Sequence, residues 1–198
     1  STLSAKENRC IFHRLLKIRK ENIMKISILT ATYNRANMLD KLYASILINS
    51  NNCSSCQVEW LIMDDGSTDN TRRIVEEYVK EKIIDVQYFN QGKMAAINNL
   101  AKKATGDLIV ECDSDDFFTK DAFSVIQEAL EEAKDMGETY ALVFLKYTKD
   151  GKNMGNNFID NDHQSTMFDL YFKEGITGEK ALVYNASIRK QYEYELEN

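Results

Sequence analysis

Asp113-Ser114-Asp115-Asp116 is the segment of this chain best suited to gather a hard cation. Carboxylates at i and i+2 can offer oxygen ligands to Mg2+ or Mn2+, and a bound diphosphate would complete the shell. Acids this close repel one another unless a cation compensates, which makes Asp113 and Asp115 the candidate metal ligands. A solvated acidic loop is the plainer reading of the same residues. A second acidic segment, Asp64-Asp65-Gly66-Ser67-Thr68-Asp69, mixes acids with turn formers. Asp64 and Thr68 are read as structural, whereas Asp65, beside the glycine, is placed to accept a hydrogen bond from a ligand N–H or hydroxyl. In Thr30-Ala31-Thr32-Tyr33-Asn34-Arg35, Tyr33 could stack on a base or fill space beneath its loop. Lys93, after Asn90-Gln91-Gly92, opens a helix where amide dipoles and an ammonium would both favour an anion.

These segments need a scaffold that brings them together. From Met24 onward, short β-rich runs alternate with longer segments of helical periodicity, the pattern of βαβ units in a mainly parallel sheet. Strands are predicted at 25–31, 59–64, 85–89, 107–112 and 140–146. Helices are predicted at 38–47, 69–82, 93–103 and 120–134, where apolar residues recur every three or four positions. Thr68 or Asp69 can cap the second helix. The acidic and tyrosine-bearing segments each follow a strand, and in open α/β sheets ligands bind beyond the carboxyl ends of strands, so all should meet at one edge. After Tyr147 a stretch rich in turn formers suggests a loop-rich flank of the same domain.

Other chemistries are excluded by spacing and composition. The eight glycines nowhere form Gly-x-Gly-x-x-Gly or a loop ending in Gly-Lys-Ser/Thr, which disfavours dinucleotide and Walker-type sites. Cys53-Ser-Ser-Cys56 resembles half a zinc knuckle with no second pair to close it, and is read as a surface loop. His13 and His163 have no evident nucleophile partner and are read as solvent-facing or packing residues. A net charge of -6 argues against a nucleic-acid partner. Four cysteines without a secretory leader fit a reducing cytoplasm. Residues 1–23 form a predicted basic amphipathic helical leader whose 9–20 stretch could touch anionic lipid at the inner membrane face, pack as a helix, or lie upstream of a true start at Met24.

In order, Ser27-Ile-Leu-Thr-Ala-Thr-Tyr-Asn-Arg35, Asp64-Asp-Gly-Ser-Thr-Asp-Asn-Thr71, Asn90-Gln-Gly-Lys93 with Ala96 and Asn98, and Asp113-Ser-Asp-Asp116 resemble the motifs of family-two glycosyltransferases. The match runs from about Met24 to Ala122. The resemblance implies a GT-A (Rossmann-like) fold of class α/β: a mainly parallel sheet flanked by helices in three layers, α/β/α. It also implies a nucleoside-diphosphate sugar donor, UDP-linked by preference, and a polysaccharide or glycolipid acceptor. Ala31 and Tyr33 would lie along the nucleoside, Asp65 would pair with the base, and Lys93 would sit near base or phosphates. Asp113 would lie by ribose and metal with Ser114 beside it, and Asp115 would be the main ligand to Mn2+ or Mg2+. The metal would stabilise the leaving group while an acceptor hydroxyl, deprotonated by a carboxylate, displaces it with inversion.

Ala31 and Lys120 stand where that family often has proline, a loss of stiffness but of no chemical group. Gly178 to Tyr192 resembles the segment preceding the family's acceptor region, so residues 24–198 are read as a nucleotide-sugar-binding domain cut short on the acceptor side. The general base is then expected beyond Asn198. Two other functions fit the same residues: a non-catalytic sugar-nucleotide-binding module, and a magnesium-dependent phosphotransferase using Asp-x-Asp as nucleophile and acid. The latter would want its motif after the first strand.

Overall fold

A computed structural model describes residues 23–90, 93–133, 141–158 and 164–192. Both histidines, the 9–20 stretch, Gln91 and Gly92 lie outside the described residues, as does the side chain of Lys93. Six strands form one sheet: β1 (Met24–Thr32), β2 (Cys56–Asp64), β3 (Asp85–Asn90), β4 (Leu108–Glu111), β5 (Ala141–Leu145) and β6 (Lys180–Asn185), in the order β3-β2-β1-β4-β6-β5. β3, β2, β1 and β4 are mutually parallel, and β6 runs antiparallel to both β4 and β5. Among the described residues no helix is long and apolar enough to cross a membrane.

The helices α1 (Ala36–Asn52), α2 (Thr71–Glu81), α3 (Lys93–Lys103), α4 (Ala122–Ala133) and α5 (Ala186–Arg189) cover both faces. Side chains alternate across a strand, and β1 divides accordingly. Ile26 and Ile28 join Leu39, Leu42, Ile46, Val75, Phe123 and Ile126 under α1, α2 and α4, while Leu29 joins Leu100, Ala101, Ala104 and Tyr184 under α3 and α5. This is the expected three-layer α/β/α arrangement.

Local physics accounts for the differences from the predicted boundaries. α1 runs five residues beyond Leu47 because Asn49, buried on its inner stripe, has every polar atom occupied. Its amide nitrogen donates to the carbonyls of Ser45 and Thr119 at 2.9 and 2.6 Å, and its oxygen accepts from the Phe123 amide at 3.1 Å. α2 begins at Thr71, two residues later than expected, since the Asp69 carboxylate accepts from the Thr71 amide at 2.9 Å from outside the helix. Its other oxygen takes the Ala36 amide at 3.2 Å, so one side chain serves the first turns of two helices.

Two expectations are corrected. Cys53 and Cys56 do not form a surface loop: Cys53 ends α1, Cys56 opens β2, both are buried in the main core, and a disulfide joins them. The region after Tyr147 is not only a flank, because β6 inserts into the sheet between β4 and β5.

Candidate functional site

The ends of β1, β2 and β4 meet at one edge, as parallel pairing demands. Thr32 lies opposite Asp64, and Leu29 opposite Glu111, so the segments that follow these strands emerge together. The first two loops are laced to each other. Asn34, at φ 51°, accepts from the amides of Thr68 and Asp69 at 2.8 and 3.3 Å, and its own amide donates to Ser67 Oγ at 2.8 Å. Asparagine tolerates this left-handed backbone, and its short amide bonds the neighbouring loop. Gly66, at φ 85°, supplies the turn between them.

Asp64 has the structural role expected of it. Its carboxylate accepts from the Ser67 amide and hydroxyl at 2.9 and 2.6 Å and from the Tyr88 hydroxyl at 2.7 Å. Burial, and then the Asp64 carboxylate, push the Tyr88 phenol above its ordinary pKa. Asp65 differs: its amide donates to the Thr32 carbonyl at 2.9 Å, but among the described residues no group bonds its half-buried carboxylate. Tyr33 is 52% exposed, so it fills no space beneath the loop and its ring is available to a ligand. Ala31 is half-buried against the α3 side of the core.

The acidic turn is set from three sides. The Cys112 amide donates to the Leu29 carbonyl at 3.0 Å. The Cys112 carbonyl accepts from Thr30 Oγ1 at 2.9 Å, which in turn accepts from Trp60 Nε1 at 3.0 Å. Beyond the turn, the Phe118 amide donates to Ser45 Oγ at 3.1 Å and Asn49 grips Thr119 and Phe123. Within it, the Asp116 amide donates to the Asp113 carbonyl at 3.0 Å and Ser114 is buried. This leaves Asp113 and Asp115 with carboxylates that no described donor engages. The fourth acid group enters from elsewhere: Lys146, just after β5, bridges Asp116 at 2.7 Å and Glu179, just before β6, at 2.9 Å.

Burial, then the charge of Asp116, and further Asp115 and Glu179 raise the proton affinity of Asp113 against the opposing pull of Lys146. The site therefore carries more negative charge than its own cation offsets. Burial and then the charges of Asp116, Asp113 and Asp115 push the Cys112 thiol well above its usual range, so it offers no soft thiolate at neutral pH. Among the described residues no three His, Cys, Asp or Glu side chains group to hold a metal unaided. A cleft of about 350 Å³ opens beside the turn, lined by Asn37, Met38, Lys41, Asp115, Asp116 and Lys149. A larger one, about 690 Å³, lies at the opposite edge near Lys25, Gln57 and Ile83 and contains none of the motif residues, so volume alone does not locate the site.

The structure thus brings Ala31, Tyr33, Asp65, Asp113, Ser114 and Asp115 to one edge. Residues 27–190 match the model of glycosyl transferase family 2. The chain belongs to that family. An uncharacterized glycosyltransferase of Mycoplasma pneumoniae is 34% identical over 131 residues, 64% of this chain and 42% of the relative. The fold is that of GT-A glycosyltransferases. TarS of S. aureus is similar over 85% of this chain and 49% of its own, with 21% identity and a TM-score of 0.60. The mannosyltransferase PcManGT from Pyrobaculum calidifontis is similar over 69% of this chain and 43% of its own, with 18% identity and a TM-score of 0.51. The chain spans less than half the length of each of these proteins.

Reading the sequence missed Lys146 and Glu179. No local motif marks them, and only the β5–β6 pairing, in which Leu145 lies opposite Lys180, brings them to the acidic turn.

Proposed function

We propose that this family 2 domain binds a nucleoside-diphosphate sugar, UDP-linked by preference, with Mn2+ or Mg2+, and transfers the sugar with inversion to a polysaccharide or glycolipid hydroxyl. The observation that carries the reading is the pair of carboxylates, Asp113 and Asp115, that no described donor engages, on a turn anchored to β1 through Leu29 and Thr30. Hard, anionic oxygens that no protein donor occupies fit a divalent cation, and two such ligands leave coordination positions for diphosphate oxygens. Related complexes point the same way: TarS has been crystallised with UDP and with UDP-GlcNAc, and PcManGT with GDP-Man and Mn2+.

In this reading Tyr33 and Ala31 line the nucleoside, Asp65 accepts from the base, Lys93 faces base or phosphate, and Ser114 backs the donor beside Asp113. The metal supplies Lewis-acid stabilisation of the departing diphosphate. The acceptor oxygen bonds the anomeric carbon as the bond from that carbon to the diphosphate oxygen breaks, and the acceptor proton passes to a carboxylate base. Crowding of Asp113 by like charges favours this site only when a cation is present.

Calorimetric titration of UDP with and without Mn2+ tests the proposal. Affinity is expected to rise with Mn2+ and to disappear in Asp115→Asn. Equal affinity with and without the metal, and in the variant, would sink it.

A further inference from the structure

Among the described residues Lys146 is the one cation that the acidic edge holds by direct ion pairs, and its two partners come from different elements. Asp116 belongs to the turn after β4, Glu179 to the head of β6, and the ammonium sits between them at 2.7 and 2.9 Å with its side chain 21% exposed. Asp116, the third acid, is turned onto Lys146 and withheld from Asp113 and Asp115. The ammonium also places a positive charge beside the position a divalent cation would take, and like charges at short range oppose binding.

We infer that Lys146 is a positioning residue that makes metal loading conditional on the nucleotide: it disarms the bare site by occupying Asp116 and opposing a lone cation. A diphosphate reverses this balance, because it brings the anionic oxygens the bare turn lacks. Metal and nucleotide are then mutually dependent ligands, and by linkage each strengthens the other by the same factor. Free divalent cation is not captured alone. The inference rests on the metal-dependent reading above.

Mn2+ binding followed by electron paramagnetic resonance, with and without UDP, tests it without any need for turnover. Wild type should bind Mn2+ weakly alone and more tightly with UDP. In Lys146→Met, affinity for Mn2+ alone should rise at least about fivefold, the low end of typical coupling factors, and the enhancement by UDP should shrink by about the same factor. Lys146→Arg should restore the wild-type pattern, which a lost packing contact would not predict. Adding Asp116→Asn to Lys146→Met removes the released acid, so the double variant should keep only the part of the gain that comes from losing the ammonium's repulsion. Unchanged or weaker binding of Mn2+ alone in Lys146→Met, or a gain undiminished in the double variant, would overturn the inference. Wild type that binds UDP without regard to Mn2+ would instead refute the functional reading beneath it.

Discussion

Removing the Glu59 carboxylate tests how the sheet presents its acidic turn. Glu59 lies fully buried in β2, on the α3 side. One oxygen accepts from Ser27 Oγ, the Thr105 amide and the Gly106 amide, and the other from Thr105 Oγ1 at 2.7 Å, with Lys25 Nζ at 3.5 Å. The carboxylate thus fixes the two residues that lead toward β4, and through it the turn at Asp113. In Glu59→Ala these donors lose their acceptor inside the protein. Each buried donor left unpaired costs about 1–3 kcal/mol. Lys25, a third exposed, admits water from one side, so the sum does not accumulate in full. The expected loss is about 3–5 kcal/mol, the range for breaking a buried charged pair. For a chain of this length that lowers Tm by roughly 6–20 °C.

Acidity provides the second measurement. Burial by itself would raise the Glu59 pKa, but the bonds from Ser27 and Thr105 and the charge of Lys25 outweigh it, and the folded value lies below the ordinary one. A depressed carboxylate contributes stability in full above its unfolded pKa of about 4.3, and loses it as pH falls through the folded value. Thermal melts followed by the fluorescence of Trp60, the chain's single tryptophan, should show Glu59→Gln well below wild type at about pH 7, with the gap narrowing on acidification below about pH 4. A Glu59→Ala protein melting within about 2 °C of wild type, less than the shift for 1 kcal/mol, would refute the reasoning, as would a gap that widens on acidification.

Asn49→Ala should cost about 1–3 kcal/mol in urea unfolding, since it strands the buried Phe123 amide, and should also weaken UDP binding by untying Thr119 and loosening the segment beyond the acidic turn. Gly106→Ala should cost about 1–3 kcal/mol by the same measurement, because its Cβ would stand 2.6 Å from Ser27 Oγ and 2.7 Å from the Lys25 carbonyl, both held in the β1 ladder. A neutral result there would mean that β1 and the 105–107 segment can part without cost.

Much of the edge was legible in the sequence for a topological reason. Parallel strands end on the same side, so turn-forming segments after β1, β2 and β4 must meet whatever their side-chain detail, and the roles of Asp64 and of the Asp69 cap followed from local hydrogen-bond chemistry. Long-range pairing was not legible. Glu59 reads as a charge in an apolar strand, but its donors lie 32 and 46 residues away in sequence. Asn49 lies beyond the predicted helix, and its burial is made favourable by Thr119 and Phe123, 70 and 74 residues on. Lys180–Asn185 is no shorter than β3, but it follows a stretch of turn formers instead of a crossover helix, so nothing local places it inside the sheet.

That last strand decides who sits at the site. Had β6 run parallel to β4, its head would lie at the opposite edge of the sheet, with Glu179 far from the aspartates. Because β6 is antiparallel, Val183 faces Val110 and Lys180 faces Leu145, so residues preceding β6 arrive where residues following β4 and β5 depart. One reversed strand therefore adds Glu179 to the acidic edge, and Lys146, one residue past β5, becomes the cation that makes this addition tolerable. β5 already runs with β4, so a sheet of uniformly parallel strands would have kept Lys146 beside the three aspartates and lost only Glu179. The reversal of β6 thus adds one more acid to an edge that Lys146 already counters, and the cost of removing Lys146 should fall on that edge rather than on the core packing of the sheet.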